Sequence, residues 1–254
     1  MAWVFFGVGL ALLLIGSGLL ARGGSALLNK LGFSPLFTRL LIVAFAMSAP
    51  ELAISLQAAA RQQPDIALAS ITGSNIANIL LVLGLAAMAR PVSAPPKVVF
   101  RDGLFLLAAI LALSVAAMTG TLTSTMGYIL LAGLVLYIAA CFATERGRPR
   151  RIALASAHAV VEPEIQASSS GLNVLALVLG GALLFFGARY TFDGALALGL
   201  EYQVPVMLVA LSLIGLGTAL PEMANAFSAT VRGDNPFLST QLIGSCVFNI
   251  LFVL

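Results

Sequence analysis

Ala46-Met47-Ser48-Ala49-Pro50-Glu51 and Gly217-Thr218-Ala219-Leu220-Pro221-Glu222 are the two stretches on which the reading of this chain turns. Each sets a glutamate directly behind a proline inside an apolar run. A carboxylate at that depth in a hydrophobic segment is expensive, so it calls for a partner, a proton or an ion. The proline before it has no N–H, and its ring clashes with the carbonyl four residues back. The backbone carbonyls of Ala46 and Gly217 are thereby released, one turn from each acid. A helix broken in this way offers a carboxylate and carbonyls together, the oxygen donors that suit hard cations such as Ca²⁺ and Na⁺.

The two stretches belong to a longer internal repeat. Shifted by 171 residues, Ala46–Leu83 lies over Gly217–Leu254 without a gap, and 12 of the 38 positions are identical. Matches among Leu, Ile and Ala mean little between apolar helices. The coincidences of Pro50/Pro221, Glu51/Glu222, Arg61/Arg232, Gly73/Gly244, Ser74/Ser245 and Asn78/Asn249 carry the repeat, and the same shift pairs Gly16 with Gly187 and Gly23 with Gly194.

Composition places this repeat in a membrane. Hydrophobic residues make up 60% of the 254 and charged residues 9%, with a mean hydropathy of +1.06. A soluble domain of this size needs a charged shell that is missing here. The apolar runs are long enough to cross a hydrocarbon core, which takes about 20 residues. The expected spans are 2–21, 36–60, 66–89, 103–119, 125–143, 171–190, 204–231 and 237–254. The first has no positive leader and no small-x-small cleavage site, so it reads as a retained helix rather than a signal peptide. Residues 1–143 form the first repeat, 144–170 a polar cytoplasmic linker, and 171–254 the second repeat.

With the N-terminus outside, 11 of the 13 basic residues fall on the cytoplasmic side and only Arg61 and Arg189 outside, which sets the orientation. Five spans separate corresponding elements of the copies. An odd number makes the second copy enter from the opposite face. The fold class is therefore all-α: a polytopic transmembrane bundle of two inverted-topology repeats, an architecture of secondary transporters with the site at the repeat interface. The first copy has two spans beyond its motif helix and the second stops within its own. About 8 helices of a 10-helix plan are therefore expected.

Hydroxyls and amides stand at helical spacing around the acids. Ser48 and Ser55 lie three before and four after Glu51, and Thr218 lies four before Glu222. Ser74/Asn78 and Ser245/Asn249 are i, i+4 pairs, and Gly73 and Gly244 allow their helices to come close. Two carboxylates can neutralise one Ca²⁺, two monovalent ions or two protons. Exchange follows if the empty, doubly charged site cannot reorient cheaply.

Met47-Ser48-Ala49-Pro50-Glu51 with Gly73-Ser74-Asn75-Ile76-Ala77-Asn78 resembles the first α-repeat motif (43–84) of the cation/Ca²⁺ exchanger superfamily. Gly217-Thr218-Ala219-Leu220-Pro221-Glu222 with Gly244-Ser245-Cys246-Val247-Phe248-Asn249 resembles the second (214–254). The nearest likeness is to the compact prokaryotic Na⁺/Ca²⁺ exchangers, over nearly the whole chain. The resemblance implies a Ca²⁺/Na⁺ antiporter of the prokaryotic cytoplasmic membrane that works by alternating access. It implies ion binding by Glu51, Glu222, Ser48, Ser74, Asn78, Thr218, Ser245 and Asn249, helped by the carbonyls of Ala46 and Gly217, with Pro50 and Pro221 as the helix breaks. It also implies that the first and sixth spans slide across the rest. The family's usual Gly-Thr-Ser before Pro-Glu stands here as Ala46-Met47-Ser48 and Gly217-Thr218-Ala219, and Asn249 stands where several Na⁺-coupled members carry Asp. Na⁺ and H⁺ therefore both stay open as coupling ions, with a passive cation channel as a further alternative.

Other features read more plainly. Ser55 faces Ala226 in the repeat and is a packing residue; Asp65 and Asp234 are helix caps. His158 is solvated in the linker, and the basic residues from Arg146 to Arg151 are a topology signal. Cys141 and Cys246 sit in separate apolar segments, so no disulfide is expected. Motifs for a metalloprotease, a serine hydrolase elbow or a phosphate loop are lacking, and no stripe of basic residues suits nucleic acid. The expected partners are inorganic cations and lipid, with no enzyme activity, resident cofactor or obligate protein partner.

Overall fold

The computed structural model describes residues 1–31, 44–92, 96–118, 123–145, 170–232 and 235–254, and these are helical with short connections. Helix α1 is Ala2–Lys30. The second expected span is broken into α2 (Ala44–Met47) and α3 (Ala49–Ala60). Helix α4 runs Pro64–Ala89, with a π-helical stretch at Ala77–Val82. Then come α5 (Pro96–Met118), α6 (Ser124–Glu145) and α7 (Ser170–Glu201). The seventh span is likewise broken: α8 passes through Val206–Val209, a π-helical Ala210–Ile214 and Gly215–Thr218, and α9 is Leu220–Arg232. Helix α10 is Asn235–Phe248, ending in a π-helical Asn249–Val253.

Polarity is turned inside out relative to a soluble protein. Leu80, Phe100, Leu200 and Phe227 are more than 70% exposed, whereas Glu51, Asn78, Glu222 and Asn249 are fully buried. That is the arrangement expected where lipid replaces water outside and polar groups must be satisfied inside. Five of the described helical stretches are individually long and apolar enough to cross a bilayer. Among the remaining passes, the second is interrupted at Ser48 and α5 carries Arg101 and Asp102 near its start.

Among the described elements, helices α1 and α7 make the most extensive contact, and glycines explain it. A Cβ on Gly9 would strike the Thr191 backbone and the Gly187 carbonyl, one on Gly16 the Gly180 carbonyl, and one on Gly23 the Asn173 carbonyl. Gly180, Gly187 and Gly194 meet Gly16, Gly9 and Phe6 in return. Low numbers face high ones, so the two helices are antiparallel. Gly9, Gly16 and Gly23 are the 171-residue images of Gly180, Gly187 and Gly194. Equivalent helices that pack antiparallel on equivalent glycines require the two copies to be inverted. Small residues are what lets helix backbones meet closely in lipid.

The same shift relates the breaks. Ser48 (φ −86°, ψ 4°) and Ala219 (φ −77°, ψ −3°) interrupt their helices at equivalent positions, each two residues before its proline. Leu13, Ile54, Ala188, Phe192 and Ile214 join α1, α3, α7 and α8 in one apolar cluster. In a second cluster, Ile71, Leu134, Tyr137, Val247 and Ile250 join α4, α6 and α10.

Three expectations are corrected. Helix α1 continues past Ala21 to Lys30, because Gly23, Gly24, Ser25 and Ala26 remain buried beyond Arg22. Helix α7 likewise passes Tyr190, with Thr191, Phe192, Gly194, Ala195 and Leu198 buried. Arg22 follows the first expected span and Arg189 lies within the sixth, and such long side chains can reach an aqueous edge while the helix goes on. Asp65 is not the cap of its helix: Gln63 holds that position, without a side-chain cap bond, and Asp65 sits in the first turn, where its charge suits the helix dipole. Ser55 is buried as expected of a packing residue, with its hydroxyl unpartnered. Asp234, His158 and residues 146–151 lie outside the described residues.

Candidate functional site

The two prolines set the geometry. Each opens its helix at the first turn and brings a glutamate behind it into the middle of the protein, where Glu51 and Glu222 are both 0% exposed. Ser74 Oγ donates to Glu51 Oε1 at 2.8 Å, and Ser245 Oγ donates to Glu222 Oε1 at 3.0 Å. These bonds are images of one another under the repeat. The helix that carries Ser74 approaches α8 through glycine: a Cβ on Gly73 would lie 1.8 Å from the Leu211 carbonyl oxygen, and one on Gly215 would lie 2.8 Å from the Gly73 carbonyl carbon.

The copies interlock. Ser48 and Ser245 hydroxyls stand 3.5 Å apart across the repeat boundary. The Thr218 hydroxyl of the second copy lies beside the Glu51 carboxyl of the first, the Asn78 amide of the first lies beside Glu222, and the two carboxyls are close enough to feel each other's charge. The Thr218 hydroxyl is also within reach of the Gly215 carbonyl of its own helix, to which it donates at 3.3 Å. Ala46, Pro50, Gly217 and Pro221 are buried at the breaks, and Leu10 of α1 presses on Gly217.

Several buried polar atoms at this point make no hydrogen bond: Glu51 Oε2, Glu222 Oε2, both amide atoms of Asn78, and Asn249 Oδ1. Buried polar atoms are nearly always paired, so a cluster left over in one place calls for a ligand. Two carboxylates with neutral hydroxyl and amide oxygens are what a hard cation needs. Among the described residues no cluster of three His, Cys, Asp or Glu is gathered, so the donor set is not that of a thiolate or imidazole metal site.

Further polar neighbours surround this centre. Asn75 holds Asn249 and Cys246 across the repeat boundary. Gln241 is hydrogen-bonded to the Met47 sulfur, beside the first break. Asn78 and Asn249 both stand in π-helical segments, a distortion frequent at functional sites. At one end of α3, Arg61 is paired with Asp193 of α7 and lies 4.6 Å over the Phe192 ring. Asn75 was readable from its place beside Ser74; the others depend on contacts between distant segments.

Inverted repeats of broken helices around buried carboxylates define a multi-pass membrane transporter, and the comparisons narrow the class. The chain belongs to the sodium/calcium exchanger protein family, whose model matches residues 1–143 and 172–254. It is 33% identical to inner membrane protein YrbG of Escherichia coli K12 (97% of this chain, 76% of that one). It is 27% identical to the sodium/calcium exchanger MaX1 of Methanosarcina acetivorans (97% and 79%). A solved structure of the sodium-calcium exchanger NCX_Mj soaked with Na⁺ and Sr²⁺ shares the fold at TM-score 0.61 and 24% identity, over 98% of this chain and 78% of that one.

Proposed function

We propose that this protein carries Ca²⁺ out of a prokaryotic cell across the cytoplasmic membrane in exchange for Na⁺, by alternating access. Glu51, Glu222, Ser48, Ser74, Asn78, Thr218, Ser245 and Asn249 supply the ion's side-chain ligands, with the carbonyls of Ala46 and Gly217 released by Pro50 and Pro221. The observation that carries this reading is the pair of fully buried, repeat-related carboxyls, each with one oxygen held by a serine and the other unpartnered. Two like charges in that interior are costly until a divalent ion, two Na⁺ or two protons neutralise them. An empty site therefore stays where it is and a filled one can reorient, which makes the transport an exchange. The glycine-locked α1–α7 pair is the natural rigid unit to move, since it rests on the second break through Leu10 and Gly217 while the ligands stay on α3, α4, α8, α9 and α10. Residues 1–143 and 171–254 act as the two half-sites, joined by the 144–170 linker.

H⁺ coupling is the second reading, favoured by Met47 and Ala219, which remove a hydroxyl from each copy, and by the amide at Asn249. Proteoliposomes separate the two. An imposed Na⁺ gradient drives ⁴⁵Ca²⁺ uptake against its own gradient, and a pH gradient alone gives less than a tenth of that rate. The reverse ranking assigns the coupling to protons, and uptake that never exceeds equilibrium makes the protein a channel.

Orientation is tested separately. Gln63, Glu201 and Arg90 are exposed at helix ends, and an N-terminus-outside topology puts the first two outside the cell. Gln63→Cys and Glu201→Cys react with an impermeant maleimide on intact cells, and Arg90→Cys reacts only after permeabilisation. The opposite pattern inverts the topology.

A further inference from the structure

The two copies are unequal where they cross. Asn75 and Cys246 occupy equivalent positions and meet each other: Asn75 Nδ2 donates to the Cys246 carbonyl at 3.4 Å, and the Cys246 thiol lies 3.9 Å from the Asn75 carbonyl. Asn75 Oδ1 also accepts a hydrogen bond from Asn249 Nδ2 at 3.1 Å. Both ends of the Asn75 amide are thus engaged. A backbone carbonyl can only accept, so it fixes which end of Asn75 is nitrogen. That in turn makes Oδ1 the end offered to Asn249, and only the nitrogen of Asn249 can answer it.

The consequence falls on the far side of the Asn249 amide. Its Oδ1 is turned away from Asn75, fully buried and without a hydrogen bond. Asn249 lies one turn beyond Ser245, on the helix face whose serine holds Glu222. The equivalent Asn78 has Cys246 as its counterpart of Asn75, and a thiol, a weak donor and weak acceptor, cannot set the amide as another amide does. Neither atom of the Asn78 amide makes a hydrogen bond.

We infer that Asn75 is a positioning residue for the transported cation: it locks the Asn249 amide oxygen-first toward the site. A flipped Asn249 would present an NH₂ group to a cation, so the lock converts an ambiguous side chain into a preset ligand. The inequality of Asn75 and Cys246 leaves one half-site preset and the other adaptable. This rests on the carboxyl pair being the cation site.

The test is a double-mutant cycle on the initial rate of ⁴⁵Ca²⁺ uptake, read as KM and maximal rate, with Glu51→Gln as the control for the site itself. Asn75→Ala raises the KM for Ca²⁺ about tenfold, the expected worth of one orienting hydrogen bond, with a smaller change in maximal rate. In an Asn249→Asp background both oxygens of residue 249 are acceptors and nothing needs orienting, so Asn75→Ala shifts KM less than twofold. Asn249→Ala gives the same silence and serves if Asn249→Asp transports too slowly. Asn75→Cys, which puts the residue of the other half-site here, raises KM as Asn75→Ala does and replaces it if the alanine variant misfolds. A tenfold rise in all backgrounds, or no rise in the Asn249 background, overturns the inference. If Glu51→Gln leaves uptake intact, the site reading itself has failed, and this proposal with it.

Discussion

Glu51→Gln brings Ca²⁺ uptake to the level of vesicles without protein, and Glu222→Gln does the same. Glutamine is nearly isosteric, and its amide oxygen can keep the bond from Ser74 or Ser245. The loss is therefore one of charge rather than shape. With a single carboxylate a buried Ca²⁺ is only half neutralised, and stripping one partner from a buried charge assembly costs about 3–5 kcal/mol, a factor of roughly a hundred to several thousand in binding. Stability in the absence of ions moves the other way: removing one of two interacting buried acids relieves repulsion, so the melting temperature without Ca²⁺ stays level or rises. Wild-type protein gains about 2.7 kcal/mol at a hundredfold excess of ligand over Kd, and the variants gain nothing. A pair of glutamates that served only packing would show neither the charge dependence of transport nor the lost Ca²⁺ stabilisation.

Gly73→Ala has the next largest effect, and here the loss is mechanical. The added Cβ would lie 1.8 Å from the Leu211 carbonyl oxygen and 2.7 Å from its carbon. These are backbone atoms, so no rotamer change relieves the clash and α4 must back away from α8. Overpacking of this kind costs about 1–3 kcal/mol. It also moves Ser74, the next residue, away from Glu51, so transport falls with stability. Gly84 lies on the same helix with nothing within 4 Å of its added Cβ. Gly84→Ala therefore leaves the melting temperature and uptake within error of wild type. Thermal melting in detergent beside flux in vesicles separates the pair, and equal behaviour of the two variants removes the close approach from the explanation.

The sequence carried much of this because the constraints are local or repeated. Pro50-Glu51 and Pro221-Glu222 announce a helix break and a buried acid within two residues each, and the structure breaks both helices at Ser48 and Ala219. Gly73 was legible as a close contact because glycine inside a membrane helix is rarely there for propensity. Helix ends were less legible: the expected spans stop at Ala21 and Tyr190, yet burial against a partner helix carries α1 and α7 further. Asp65 was misread as a cap because Gln63 and Pro64 before it leave no cap signature. The π-helical turns around Asn78 and Asn249 have no residue code, and the Asn75–Asn249 bond joins residues 174 positions apart. Asp193 could not be paired with Arg61 from sequence, since their repeat images, Arg22 and Arg232, would repel.

One measurement reaches the ion directly. Crystals of the protein soaked in Ca²⁺, with Sr²⁺ as the anomalous scatterer, give one dominant peak between α3 and α9. An oxygen of Glu51 and one of Glu222 each lie about 2.3–2.6 Å from the Ca²⁺, and Na⁺ in excess displaces it. A divalent ion held by only one of the two acids, or found elsewhere in the bundle while both carboxyls stay without metal, would contradict the proposal that this pair is the transport site.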